Sequence, residues 1–144
     1  MKKAVLIIWV VLILSGSALW AADSKLLPSL NAARELNQQF LTLMADNQID
    51  QAFDLVKPYM PIMGKEIDNL KEVTTQQYKV LESSFGKPIG YQLIEERKVA
   101  DRLVFYTYLE LREKFPIRWT IIYYRPQMTW QPVILKWDAK ITEL

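Results

Sequence analysis

Tyr106, Tyr108 and Glu110 occupy alternate positions, and they are residue types that general acid–base chemistry uses: phenols that hold a proton and a carboxylate that takes one. They lie in Arg102–Arg112, where Leu103, Phe105, Thr107, Leu109 and Leu111 alternate with Val104, Tyr106, Tyr108, Glu110 and Arg112. That period of two is the mark of a strand, so tyrosine and carboxylate share one of its faces and can meet. One face must line a core, and the other is partly polar. The same spacing also describes a plain sheet face, with tyrosines packing across strands and Glu110 exposed, and this plainer account is the stronger of the two. No catalytic residue is assigned on this basis; Glu110, Tyr106 and Tyr108 are the candidates for an enzyme.

Other chemistry is thinly represented. The 144-residue chain has no histidine and no cysteine, which removes imidazole bases, thiol nucleophiles, disulfides and the commonest zinc ligands. Asp46, Asp50 and Asp54 recur every fourth residue, but the first closes one helix and the second is placed to cap the next. The alternating oxygen ligands of a calcium loop are missing, so neither metal nor cofactor is expected. Glu66, Asp68 and Glu72 fall in the first turns of a helix, where negative charge suits the dipole. Arg97, Lys98 and Arg102 make a basic corner at a turn with no glycine-rich loop beside it, the pattern of a solvated turn rather than a phosphate site. Trp119 and Trp137 run in phase with core residues, whereas Trp130 falls at a turn.

Charge narrows the class further. Lys and Arg number 18 against 16 acidic residues, and Lys2 and Lys3 supply the whole excess. The neutral body argues against nucleic acid as a partner, since that needs basic charge gathered on one face. Lys2-Lys3, the apolar run 4–14, Ser15-Gly16-Ser17 and Ala18–Ala22 together form the three parts of a bacterial secretory signal peptide over residues 1–22, cut after Ala21 or Ala22. The mature chain, 23–144, is then a single domain in the periplasm or secreted. An uncleaved membrane anchor is the competing account, because residues 4–22 carry no charge.

The elements follow from periodicity. Ser29 or Asn31 caps a first helix with Ala33, Leu36, Phe40 and Leu43 on one stripe; Asp50 caps a second, which ends before Pro58; a third runs over about Lys65–Phe85 and stops at Gly86 and Pro88. From Pro88 the period changes to two. Four strands follow, over Gly90–Val99, Arg102–Arg112, Ile117–Tyr124 and from about Val133 to Ile141, with Pro132 marking an edge or a bulge. The fold class is α+β, three N-terminal helices packed on a four-stranded antiparallel meander.

The segment Phe40-Leu-Thr-Leu-Met-Ala-Asp-Asn-Gln-Ile-Asp-Gln-Ala-Phe-Asp-Leu55 ends a helix in a small polar break and opens the next with an acidic residue and Ala52. With Phe85-Gly86 before the sheet and a tryptophan in the last strand, it resembles the NTF2-like superfamily, the cone-shaped fold also grouped as cystatin-like, and in particular its small secreted bacterial members. That superfamily hosts enzymes, carriers and interaction domains. The resemblance implies a binding domain that takes a small apolar ligand in its cone or a protein partner on its sheet. Tyr106, Tyr108, Arg118, Ile122 and Tyr124 would form the ligand or partner surface, and a homodimer would pair through it. The alternative it implies is an isomerase- or lyase-like enzyme, because enzymes resembling ketosteroid isomerase set a carboxylate base beside a tyrosine in an apolar cone. A third account is a structural module on the membrane, with membrane contact expected only if the N-terminus stays uncleaved.

Overall fold

The computed structural model describes residues 24–144. The expected signal peptide over 1–22, with its cut after Ala21 or Ala22, lies outside the described residues. Helix α1 (Leu30–Ala45) starts at Ser29, whose hydroxyl accepts from the Ala32 amide at 3.1 Å and so satisfies a first-turn donor. Its Ala33, Leu36, Phe40, Leu41 and Met44 form the buried stripe, and Asp46 closes it. Helix α2 (Ile49–Val56) begins two residues earlier than expected, with Gln48 rather than Asp50 at its cap. Ile49 is apolar and buried, so it is drawn into the first helical position, leaving Asp50 exposed in the first turn. Asp50 and Asp54 both face Lys71 Nζ, at 3.3 and 3.0 Å, across the seam to helix α3 (Gly64–Phe85).

Helix α3 turns Ile67, Thr74 and Tyr78 inward and ends at Gly86, with φ +83° and ψ 179°. A Cβ at Gly86 would lie 2.6 Å from Glu113 Cβ, so both backbone and space require glycine where the chain enters the sheet. Strands β1 (Pro88–Val99), β2 (Leu103–Arg112), β3 (Ile117–Tyr124) and β4 (Gln131–Asp138) pair antiparallel in sequence order. The chain is therefore α+β, three helices followed by a four-stranded antiparallel meander. Strand β4 stops short of Ile141, which lies in a closing 3-10 turn (Ile141–Glu143). Pro132 satisfies both its expected constraints, since β4 is an edge strand and its register shifts opposite Ile122 and Tyr123.

The partly polar face of β2 is the buried one. Val104, Tyr106, Tyr108, Glu110 and Arg112 lie under the helices beside Ile117, Trp119, Ile121 and Tyr123, while Leu103, Phe105, Thr107, Leu109 and Leu111 face outward and are half-buried. Large rings bury more area than the aliphatic side chains opposite, and those of Phe40 and Trp119 meet edge to face at 5.1 Å. Glu110, expected to be exposed, is 1% exposed. The expected surface of Tyr106, Tyr108, Arg118, Ile122 and Tyr124 is likewise two surfaces. Tyr106 opposes Ile121 and Tyr108 opposes Trp119, whereas Arg118 opposes Leu109, Ile122 opposes Phe105 and Tyr124 opposes Leu103. Directly opposed residues share a side, so the first pair points inward and the other three outward.

Candidate functional site

Glu110 is the charged centre of the interior. Its Oε2 accepts from Tyr78 Oη at 2.5 Å and from Trp119 Nε1 at 3.0 Å, and its Oε1 accepts from Arg112 Nε at 2.9 Å, with Arg112 Nη2 2.8 Å away. Arg112 Nη1 donates to the Gly86 carbonyl at 3.0 Å, and the guanidinium lies over the Tyr78 ring at 4.6 Å. One carboxylate thus ties β2, β3 and α3 together, and its arginine holds the Gly86 carbonyl at the C-cap of α3. Burial, reinforced by the Glu110 charge, pushes the Tyr78 phenol well above its ordinary range, so it stays a donor. A general base must reach a substrate proton. Glu110 is enclosed by three donors of its own chain, an arrangement that suits pinning the fold better than taking protons.

A second polar group lies along the same inner face. Tyr123 Oη donates to Asn37 Oδ1 at 2.6 Å, and Asn37 Nδ2 donates to Tyr108 Oη at 3.3 Å, so a buried amide of α1 bridges two strands. Above it, Glu96 forms a bidentate pair with Arg34, at 2.8 and 2.7 Å. Glu96 rather than Glu95 reaches inward because β1 bulges between Leu93 and Glu95, which advances its phase by one residue and sets Glu96 opposite Tyr106. The Arg34 hydrogen bonds hold the Glu96 carboxyl below its usual range. Tyr106 itself is buried with no hydrogen-bond partner for its hydroxyl, and burial pushes it up to about 12.

These two phenols should respond oppositely to loss of the hydroxyl. Tyr123→Phe strands the Asn37 carbonyl oxygen and should cost about 1–3 kcal/mol, whereas Tyr106→Phe removes an unpaired group and should be neutral or slightly stabilising. Urea unfolding of the two variants checks this; equal losses would mean that Tyr106 has a partner.

The outer face of the sheet carries a different population. Phe105, Leu109 and Ile122 form its centre, with Val99, Tyr124 and Ile134 about 40% exposed around them. Arg97 lies over the Phe105 ring at 4.2 Å and 3.7 Å from Glu95, while Arg118 clasps Asp138 through two nitrogens, at 3.1 and 2.8 Å. The basic corner expected at Arg97, Lys98 and Arg102 is thereby partly spent on structure, since Arg102 donates to the carbonyls of Arg125 and Pro126. Trp119 is fully buried, Trp130 is buried beside its turn, and Trp137 is half-buried with Nε1 donating to Thr74 at 2.9 Å.

Cavities lie along the helices and the segment that joins α2 to α3. One of about 480 Å³ is lined by Ser24, Lys57, Pro58, Met60 and Pro61, and another of about 190 Å³ runs past Ile49, Tyr78 and Lys79. Among the described residues, no group of three acidic, histidine or cysteine side chains is placed to hold a metal ion. The partners of Glu110 on α3, and Asn37 on α1, escaped the sequence reading of chemistry. Their signal was a polar residue on an inward stripe: Asn37 between Ala33 and Phe40, and Thr74 with Tyr78 in line with Ile67. No protein-family model matches this chain, and neither a search of curated proteins nor one of solved structures returns a match.

Proposed function

We propose that this chain is an extracytoplasmic interaction domain of NTF2-like type that pairs with a second copy of itself through the outer face of its sheet. The observation that carries the reading is the contrast between the two faces. The inner one is filled by Trp119, Tyr106, Tyr123 and Phe40 and its carboxylate is satisfied, which leaves a small apolar ligand little room. The outer one presents half-buried Phe105 and Leu109, with the Arg97 guanidinium over the Phe105 ring, beside Val99, Tyr124 and Ile134 at about 40% exposed. Within the face Arg118 pairs with Asp138 and Arg97 with Glu95, and the remaining charge, Lys136 opposite Thr120, is exposed on the edge strand β4. A two-fold interface sets one patch against itself, and a patch whose central charges are paired within it meets that condition. The extracytoplasmic address rests on the sequence of residues 1–22, and the NTF2-like type on the order of the helices and strands.

Sedimentation velocity tests this. The native chain should run as a dimer, and Tyr124→Glu with Ile134→Glu, both at partly exposed outer positions, should return it to monomer with its melting temperature little changed. A native chain that stays monomeric at high micromolar concentration ends the proposal.

A further inference from the structure

Three segments far apart in sequence meet at one end of the molecule. The Lys25 amide donates to the Pro58 carbonyl at 2.9 Å, and Leu27 and Trp130 exchange backbone hydrogen bonds of 3.0 and 2.8 Å. This joins residues 24–29, residues 57–65 and the β3–β4 turn, residues 125–131. Together they contain Lys25, Lys57, Lys65 and Arg125 and no Asp or Glu, in a chain whose body as a whole is balanced; Asp54 of α2 lines the hollow beside them and pairs with Lys71. Lys57 pairs with Asp68 of α3 at 2.6 Å; among the described residues, Lys25, Lys65 and Arg125 have no carboxylate within ion-pair distance.

The same end carries the two most exposed large apolar side chains of the described residues, Ile62 and Met128, together with Leu26. Ile62 and Met128 are each 83% exposed, and Leu26 is 52% exposed. Two adjoining hollows that share Met60 and Pro61, of about 480 and 100 Å³, run beside Ile62. Arg125 lies over the buried Trp130 ring at 5.0 Å, which fixes the turn and leaves Met128 projecting. Nothing in the fold requires these side chains to be apolar. Residues 1–23 join the domain at this end, at Ser24, and their sequence places the uncharged stretch 4–22 behind Lys2 and Lys3.

Projecting apolar side chains on the same segments as cations that lack a carboxylate partner, Lys25 over the Tyr59 ring and Arg125 over that of Trp130, are the chemistry of an interfacial contact with anionic lipid. No helix among the described residues is long and apolar enough to cross a membrane, so the contact is with the surface. We propose that this end of the domain rests on a membrane containing anionic phospholipid, with Leu26, Ile62 and Met128 entering the headgroup layer and Lys25, Lys65 and Arg125 facing the phosphates. The inference is independent of what the outer sheet face binds.

The absence of native cysteine makes the test direct. Ile62→Cys, Met128→Cys and, as a control, Val80→Cys are each labelled with an environment-sensitive fluorophore, in the protein purified with whatever N-terminus the host leaves on it. Val80 is exposed and sits 16 residues along α3, about 24 Å from Gly64 by helix rise. The labels are read against vesicles of phosphatidylcholine with and without phosphatidylglycerol, with spin-labelled lipid as quencher. Labels at positions 62 and 128 should be quenched when phosphatidylglycerol is present, while the label at 80 stays in water. Lys25→Gln and Lys65→Gln should each weaken vesicle binding roughly fivefold. Vesicle-bound protein whose labels at 62 and 128 remain in water is attached through its N-terminus alone and overturns the proposal. No quenching at any site, or quenching indifferent to phosphatidylglycerol, overturns it as well.

Discussion

An Arg112→Met chain should lose about 3–5 kcal/mol of folding free energy, measured by urea unfolding near neutral pH. The side chains of Arg112 and Glu110 are each 1% exposed, and the guanidinium serves three neighbours: the Glu110 carboxylate, the Gly86 carbonyl and the Tyr78 ring. Methionine replaces the packing but none of the charge. Glu110 would be left buried with only Tyr78 and Trp119 as donors, and the end of α3 would lose the donor that holds Gly86. Breaking a buried pair from one side is costly because the surviving charge has no water to turn to. Arg112→Lys should recover part of the loss at most, since a single ammonium cannot reproduce a planar fork that faces Glu110 and Gly86 at once. A loss below about 1 kcal/mol for Arg112→Met would show that solvent reaches the pair and that Glu110 is free for other work.

That pair also shows what was legible in the sequence. Alternation placed Glu110 and Arg112 on one face of β2 with Tyr106 and Tyr108, and the register bears this out. Alternation says nothing about which face is inward. The face of Leu103, Leu109 and Leu111 looks more apolar letter by letter, yet Tyr106, Trp119 and Tyr123 bury more area, and the polar atoms of Trp119 and Tyr123 are met by Glu110 and Asn37 while Tyr78 meets Glu110. Those partners are remote in sequence, with Tyr78 lying 32 residues before Glu110 and Asn37 lying 86 before Tyr123. A one-dimensional pattern therefore saw Glu110 as an unpaired and hence exposed carboxylate. The Asp50 cap failed for a local version of the same reason, because burial of Ile49 outweighed the capping preference of the next residue. Element order, by contrast, was readable throughout, since a change of period from helical to alternating at Pro88 needs no partner to be recognised.

The buried phenols give the fold a weakness to alkali. The protein should hold its stability up to about pH 10 and lose it steeply above, as the pH approaches the folded-state value of Tyr106, about 12. Burial raises four phenols: Tyr106 to about 12, Tyr108 above the ordinary value, and Tyr78 and Tyr123 well above it, with Glu110 adding to Tyr78 and the neighbouring Tyr108 to Tyr123. In the unfolded chain the same groups ionise near 10. Above that pH the unfolded chain has released protons that the folded chain still holds, so the free energy of unfolding falls as pH rises. The contribution is complete below about 10 and disappears as the pH rises through the folded values, each phenol removing about 1.4 kcal/mol per pH unit in between. Four together remove about 5–6 kcal/mol per unit while all lie between their unfolded and folded values, enough to unfold a domain of ordinary stability within a few pH units. Urea unfolding at stepped alkaline pH reads the slope, and phenolate absorbance counts the tyrosines that titrate before the helices melt. Tyr106→Phe should remove one proton from the slope while leaving neutral-pH stability intact. If all seven tyrosines ionise near their ordinary value in a chain that is still folded, the inner face is wet. The case for a filled interior, and with it the argument that binding belongs to the outer face, would then fail.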